Sequence, residues 1–202
     1  YDPAAFLIIQ NNEIVFEQYW DDYGPTSYSS SFSMAKTITG LLVGIALEEG
    51  QIESLDQPIA DFLPEFNEGG RETITFRHLL TMTSGLAWDE AYTSILSPTT
   101  ELYYGTDLYA FVVGLPVEND PGTVFYYSSA DTQILGQALE AAIGRSLSEY
   151  ASEKLWMPIG AEQDATWSMD APGGVVKYNC CFNSNARDFA KLGQLLLQNR
   201  SE

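Results

Sequence analysis

No stretch of this 202-residue chain approaches the roughly 18 consecutive apolar residues that mark a membrane-spanning helix. Basic residues are scarce: nine Lys and Arg stand against 28 Asp and Glu, for a net charge of −19. The lack of a basic run argues against a nucleic-acid or anionic-lipid partner, and the acidic excess reads as a solvated shell. His78 is the one histidine. Without a Cys/His cluster, the residues offer no zinc site, and nothing in the sequence calls for a metal or an organic cofactor. The two cysteines, Cys180 and Cys181, are adjacent, a spacing that bridges only with strain. The expectation is two reduced, buried side chains. There is no Gly-x-Ser-x-Gly turn of the kind that carries a Ser-His-Asp nucleophile, so His78 is read as structural. Internal repeats and low-complexity tracts are absent. So is a signal peptide, and the first residue is Tyr, which reads as a processed or trimmed chain whose compartment, cytoplasmic or periplasmic, stays open.

What is present is a 45% hydrophobic composition, enough for a substantial core in one domain. Ala5–Ile9 and Ile14–Tyr19 are β-rich runs flanking Asn11-Asn12, a hairpin signature. A polar loop runs from Asp21 to Ser31. Met34, Ile38, Leu41, Leu42, Ile45 and Ala46 then recur at helical spacing, with Gly50 as a stop. A short helix begins at Thr75, ended by Ser84-Gly85, and the aromatic-rich stretch from Trp88 to Asn119 reads as a long irregular region. Asp131 to Ile143 is an amphipathic helix stopped by Gly144, and Ser146-x-x-Glu149 is a capping box for the next. Ala165-Thr166-Trp167 starts a strand, and a last helix spans Ala186 to Gln198. Strands, then helices, then a return towards strand describe a mixed α+β chain.

The chemistry-bearing feature is Ser33-Met34-Ala35-Lys36 at the opening of the Met34–Ala46 stripe. Positions i and i+3 share a helix face, so the Lys36 amine can reach back to the Ser33 hydroxyl. A serine hydroxyl needs a neighbouring base, and a lysine can serve once it is partly neutral; burial and the helix dipole both lower its pKa. With 17 serines and four lysines in the chain, about a third of one such hit is expected by chance, so the motif needs company. On its own it also fits a solvated helix start capped by Ser33.

The company is Pro121-Gly122-Thr123-Val124-Phe125-Tyr126-Tyr127-Ser128-Ser129 ahead of the Asp131 helix. Hairpin, Ser-x-x-Lys helix, His78-Leu-Leu-Thr-x-Thr-Ser-Gly-Leu, this segment and a helix, in that order, resemble the serine β-lactamase and DD-peptidase superfamily. Thr83–Tyr92, Asp164–Asp170 and Cys180-Cys181-Phe182-Asn183 leading into Ala186–Ala190 are similar to its class C-like serine hydrolases of the 6-aminohexanoate-oligomer hydrolase type.

The resemblance runs over nearly the whole chain and implies a β-lactamase/transpeptidase-like fold: an antiparallel sheet flanked by helices, plus a mostly helical lobe. Residues 1–32 would form the hairpin of the α/β lobe, 33–160 the helical lobe, and 161–202 the return. It implies Ser33 as the acylated nucleophile, Lys36 as its proton acceptor and Tyr127 as a phenol relaying protons. Ser129, where the motif more commonly has Asn, and Tyr92 would contact substrate. The family's third motif, Lys/His-x-Gly on a late strand, has no match. Lys191-Leu192-Gly193 has the letters but lies inside a helical pattern. The late strands are therefore expected from a C-terminal segment, a separate fragment or a second copy. The implied activity is a serine hydrolase acting on a small amide or ester. A non-catalytic scaffold on the same fold, or a penicillin-binding-type protein that deacylates slowly, are the alternatives.

Overall fold

The computed structural model describes residues 3–198. Strands β1 (Ala5–Gln10) and β2 (Glu13–Tyr19) form the antiparallel hairpin, paired from Ala5 opposite Tyr19 to Gln10 opposite Glu13. Asn11 and Asn12 take φ of 53° and 66°, the left-handed pair that a tight primed turn requires. One hairpin face lies against the last helix, α7 (Ala186–Gln198), pinned by a two-pronged ion pair from Arg187 to Glu17 at 2.7 Å. That pairing draws the Glu17 carboxyl down to about 2. The other face leaves Phe6, Ile8 and Phe16 exposed.

A second sheet orders β3 (Ser29–Ser30), β5 (Phe182–Ser184) and β4 (Thr166–Trp167), all antiparallel. The loop expected over Asp21–Ser31 therefore holds a strand. Two serines carry no period-2 pattern, and only pairing with β5 makes them one.

Helix α1 (Ala35–Glu48) runs through the centre and buries Ala35, Ile38, Thr39, Leu42, Val43 and Ala46. Helices α2 (Phe76–Leu80), α3 (Pro98–Tyr104) and α4 (Leu108–Val113) follow. Helix α2 ends at Leu80, ahead of the expected Ser84-Gly85 stop. The last two correct the irregular reading of Trp88–Asn119. Their start signals are present, with Ser97 and Asp107 side chains accepting from Thr100 N and Ala110 N. At seven and six residues, however, neither is long enough to show a period.

Helix α5 (Ser129–Ile143) begins two residues before the expected Asp131, capped by Ser128 and closed by left-handed Gly144. It is buried on every side from Ser129 to Leu139, as befits a helix at the middle of a core. Ser146 caps α6 (Leu147–Ala151), which runs on into a wider turn over Ser152–Trp156.

Cys180 and Cys181 are joined by a disulfide, contrary to the expected reduced pair. The reason is local. Cys181 sits at φ 64°, a sharp left-handed turn of the chain that brings neighbouring side chains together. Among the described residues no helix is long and apolar enough to cross a membrane.

The tightest helix contact is at Gly136, where a Cβ would lie 2.1 Å from the Tyr178 ring. That ring cannot swing aside freely, because its hydroxyl donates to Glu140 at 2.8 Å and its backbone carbonyl holds Thr39. Ala normally gains about 1 kcal/mol over Gly within a helix, but overpacking of this kind costs about 1–3 kcal/mol. Gly136→Ala should therefore lower the urea midpoint rather than raise it, with an unchanged m-value.

Candidate active site

The chain reaches Ser33 from β3. Ser31 N donates to Phe182 O at 2.8 Å, extending the β3–β5 ladder to the residue before the turn. Phe32 then adopts φ 44°, with its ring 66% exposed. A left-handed non-glycine residue costs about 1–2 kcal/mol, and it persists only where its surroundings over-determine it. Here the sheet holds one side. On the other, a 3₁₀ turn over Phe32–Met34 feeds straight into α1. The turn carries the chain out of the sheet and sets Ser33 just ahead of α1.

Lys36 lies three residues on, and its Nζ donates to Ser33 Oγ at 3.2 Å and to the Asn179 carbonyl at 2.9 Å. One turn further, Thr39 Oγ1 donates to the Tyr178 carbonyl at 3.0 Å, so the 178–179 segment is stitched along α1. Burial pushes the Lys36 amine down to about 8, against the opposing field of Glu90. Close to that pH the amine is half neutral, which lets it take a proton from a neighbouring hydroxyl. Asn179 is a partner that sequence reasoning missed. It contributes a backbone oxygen, which leaves no mark in side-chain identity.

Tyr127 sits on the extended segment before α5. Its ring centroid is 5.3 Å from Lys36 Nζ, so the amine faces the ring, and no hydrogen bond joins the phenol oxygen to Ser33 or Lys36. The segment is clamped on both sides of the tyrosine. Tyr126 N donates to Met82 O at 3.0 Å. Ser128 Oγ caps Asp131 N and donates to the Asp131 carboxylate, which also accepts from Ser84 Oγ at 2.7 Å. Gly85 is required here: at φ 77° its missing Cβ would fall 2.0 Å from the Asn119 carbonyl.

The remaining candidates separate. Ser129 is fully buried, and its hydroxyl donates to Glu90 at 2.6 Å. Tyr92 is 61% exposed, its ring edge-on to Tyr103 and its hydroxyl donating to Glu90. Glu90 thus joins two of the candidates, and no sequence pattern singled it out. His78 is structural: its Nδ1 accepts from Thr75 N, completing the cap of α2. Lys191 lies within α7, paired with Asp188 and Glu162. Among the described residues no group of three or more His, Cys, Asp or Glu could hold a metal ion.

The profile of the Beta-lactamase family matches residues 3–201. The chain belongs to that family. Among curated relatives it is 28% identical to 6-aminohexanoate-dimer hydrolase of Paenarthrobacter ureafaciens, an alignment covering 96% of this chain and 51% of that protein. Protein flp of Staphylococcus aureus (strain COL) is 27% identical over 77% of this chain and 33% of its own length.

Two solved structures extend the likeness. One from Bacillus anthracis, provisionally named a 6-aminohexanoate-dimer hydrolase, superposes with a TM-score of 0.86 at 26% identity. It covers 98% of this chain and 55% of that one. A penicillin binding protein from Bacillus halodurans shares the fold at 20% identity, with a TM-score of 0.77 and coverage of 96% and 70%. The chain spans about half the length of the first relative and less of the second.

Asp131 gives the clamp behind Tyr127 a pH signature. Burial raises its carboxyl to about 6, with the Ser84 and Ser128 hydrogen bonds pulling the other way. A folded pKa above the unfolded value means that the native state holds the proton more tightly. The associated stability is complete below about pH 4 and is lost as pH rises through 6. Asp131→Asn should remove up to about 3 kcal/mol of that slope, read as the difference between wild-type and variant urea titrations from pH 4 to 7.

Proposed function

We propose that the protein is a serine hydrolase that cleaves an amide or ester through an acyl-enzyme on Ser33. The observation that carries this reading is the Lys36 amine, 3.2 Å from the Ser33 hydroxyl and brought to about 8 by burial. Neutral Lys36 takes the hydroxyl proton as Oγ attacks the carbonyl carbon, and the developing oxyanion is met by the Ser33 N–H. The proton then passes to the departing amine or alcohol, leaving the ester on Ser33. Water attacks that ester, Lys36 accepts its proton, and release of the acid restores the hydroxyl.

Tyr127 enters as the relay to the leaving group. In the resting geometry its ring faces the amine, which favours the ammonium form, so relay requires its oxygen to turn towards Oγ. Tyr92, exposed beside the site, is the substrate-facing aromatic of this reading. Short amides such as amino-acid oligomers fit it, as do small carboxylic esters. The relative named a 6-aminohexanoate-dimer hydrolase supports the former.

We further propose that polypeptide beyond this chain completes the site. The length of the relatives supports this, as does the apolar outer face of the β1–β2 hairpin, since a two-strand sheet buries too little to stand alone. That polypeptide, whether a C-terminal segment, a separate fragment or a second copy, would bring the third motif and a second oxyanion donor.

The test is an active-site serine probe on the full-length protein, with the labelled peptide identified by mass. Labelling of Ser33 with turnover is expected, and it should vanish in Ser33→Ala. Lys36→Met should slow acylation by about 10²–10⁴-fold. The wild-type acylation rate should climb through pH 8 as the amine loses its proton. Stable labelling without turnover would instead identify a slow-deacylating penicillin-binding type, and no labelling a scaffold.

A further inference from the structure

Glu90 collects more hydrogen bonds than any neighbouring side chain at the site. Its carboxylate accepts from Trp88 Nε1, the Tyr92 hydroxyl, Ser129 N at 2.9 Å and Ser129 Oγ at 2.6 Å. Ser129 is the first residue of α5, so one of these donors is a backbone N–H that the helix itself leaves unpaired. The carboxylate therefore sits on the positive end of α5, at Ser129, two residues after Tyr127. Its other two donors come from the loop ahead of α3. Glu90 is where the exposed aromatic loop is tied to the core.

The same carboxylate is the charged group whose field reaches Lys36. The other groups around the amine are the Ser33 hydroxyl, the Asn179 carbonyl and the ring of Tyr127, while Tyr103 on α3, whose phenol burial raises, lies in the field of the same carboxylate. Lys177 Nζ donates to the Tyr103 carbonyl.

We propose that Glu90 is a positioning residue: one ionised carboxylate that locks the Tyr92 loop to the first turn of α5 and stands as the counter-charge to Lys36. The assignment deepens the serine hydrolase reading and rests on it for its catalytic meaning. Burial by itself would raise the Glu90 carboxyl, but the donors from Ser129, Tyr92 and Trp88 outweigh it and hold the group below its ordinary value. Glu90 thus stays charged while Lys36 titrates. Burial favours the neutral amine and Glu90 favours the ammonium, and the balance leaves Lys36 near the pH at which it can both accept and return a proton. The donors also explain why Ser129 faces inward, since its hydroxyl and N–H are both committed to this carboxylate.

The experiment measures Lys36 directly, with no need of turnover. Full-length protein is acetylated with trace acetic anhydride across pH 6–10, and the Lys36 peptide is quantified by mass. Glu90→Gln, which keeps the shape and removes the charge, should move the Lys36 midpoint downward by on the order of half a pH unit. It should also slow Ser33 acylation by about tenfold at the plateau, through the released loop. Glu90→Asp retains the charge but draws it back, so its midpoint should shift less while its plateau still falls. A Glu90→Gln midpoint equal to wild type would overturn the proposal. Should that variant fail to fold, an Asp variant with wild-type midpoint and plateau would overturn it equally. Absence of Ser33 labelling in wild type would sink the hydrolase reading alone, leaving the Lys36 midpoint to decide the role of Glu90.

Discussion

The site depends on taking one amine out of water. An exposed lysine beside a serine is protonated at neutral pH and activates nothing. The same pair on the flank of α1 places a hydroxyl beside an amine that burial has brought to about 8. Lys36 reaches that condition because α1 packs along the 178–179 backbone, whose carbonyls take the Lys36 and Thr39 side chains. That backbone is in turn seated on α5 through the close approach of Tyr178 to Gly136. Contacts between two helices and an irregular segment thereby hold the amine in its half-buried setting.

Around this amine the polar groups are arranged in tiers. Asp131, on the first turn of α5, clamps the Ser84 turn to the Ser128 cap, and Glu90 clamps the aromatic loop to Ser129. They differ in character. Asp131 is so buried that its charge is disfavoured, whereas Glu90 has enough donors to remain ionised. One is suited to hold a turn in place, the other to act at a distance through its field.

Much of this was legible in the residues. The hairpin followed from two β-rich runs around Asn11-Asn12, α1 and α5 from long apolar stripes stopped by Gly50 and Gly144, and α7 from its apolar stripe. These elements repeat often enough for periodicity to speak. Strand β3 and helices α3 and α4 did not announce themselves, because two to seven residues hold too little of any period. The cysteine pair was misread for a related reason: adjacency argues against a bridge unless the backbone turns, and that turn is set by the residues around it.

By itself, the order of residues determined the chemistry on offer: a hydroxyl and an amine one helical turn apart, and a tyrosine ahead of a second helix. These are properties of side-chain identity and local spacing, which the backbone period converts into a shared face. Only the tertiary structure decided the amine's pKa, the face that Tyr127 presents to it, the inward turn of Ser129 and the part taken by Glu90. Burial, field strength and hydrogen-bond partnership arise between segments distant in sequence, and no local pattern encodes them.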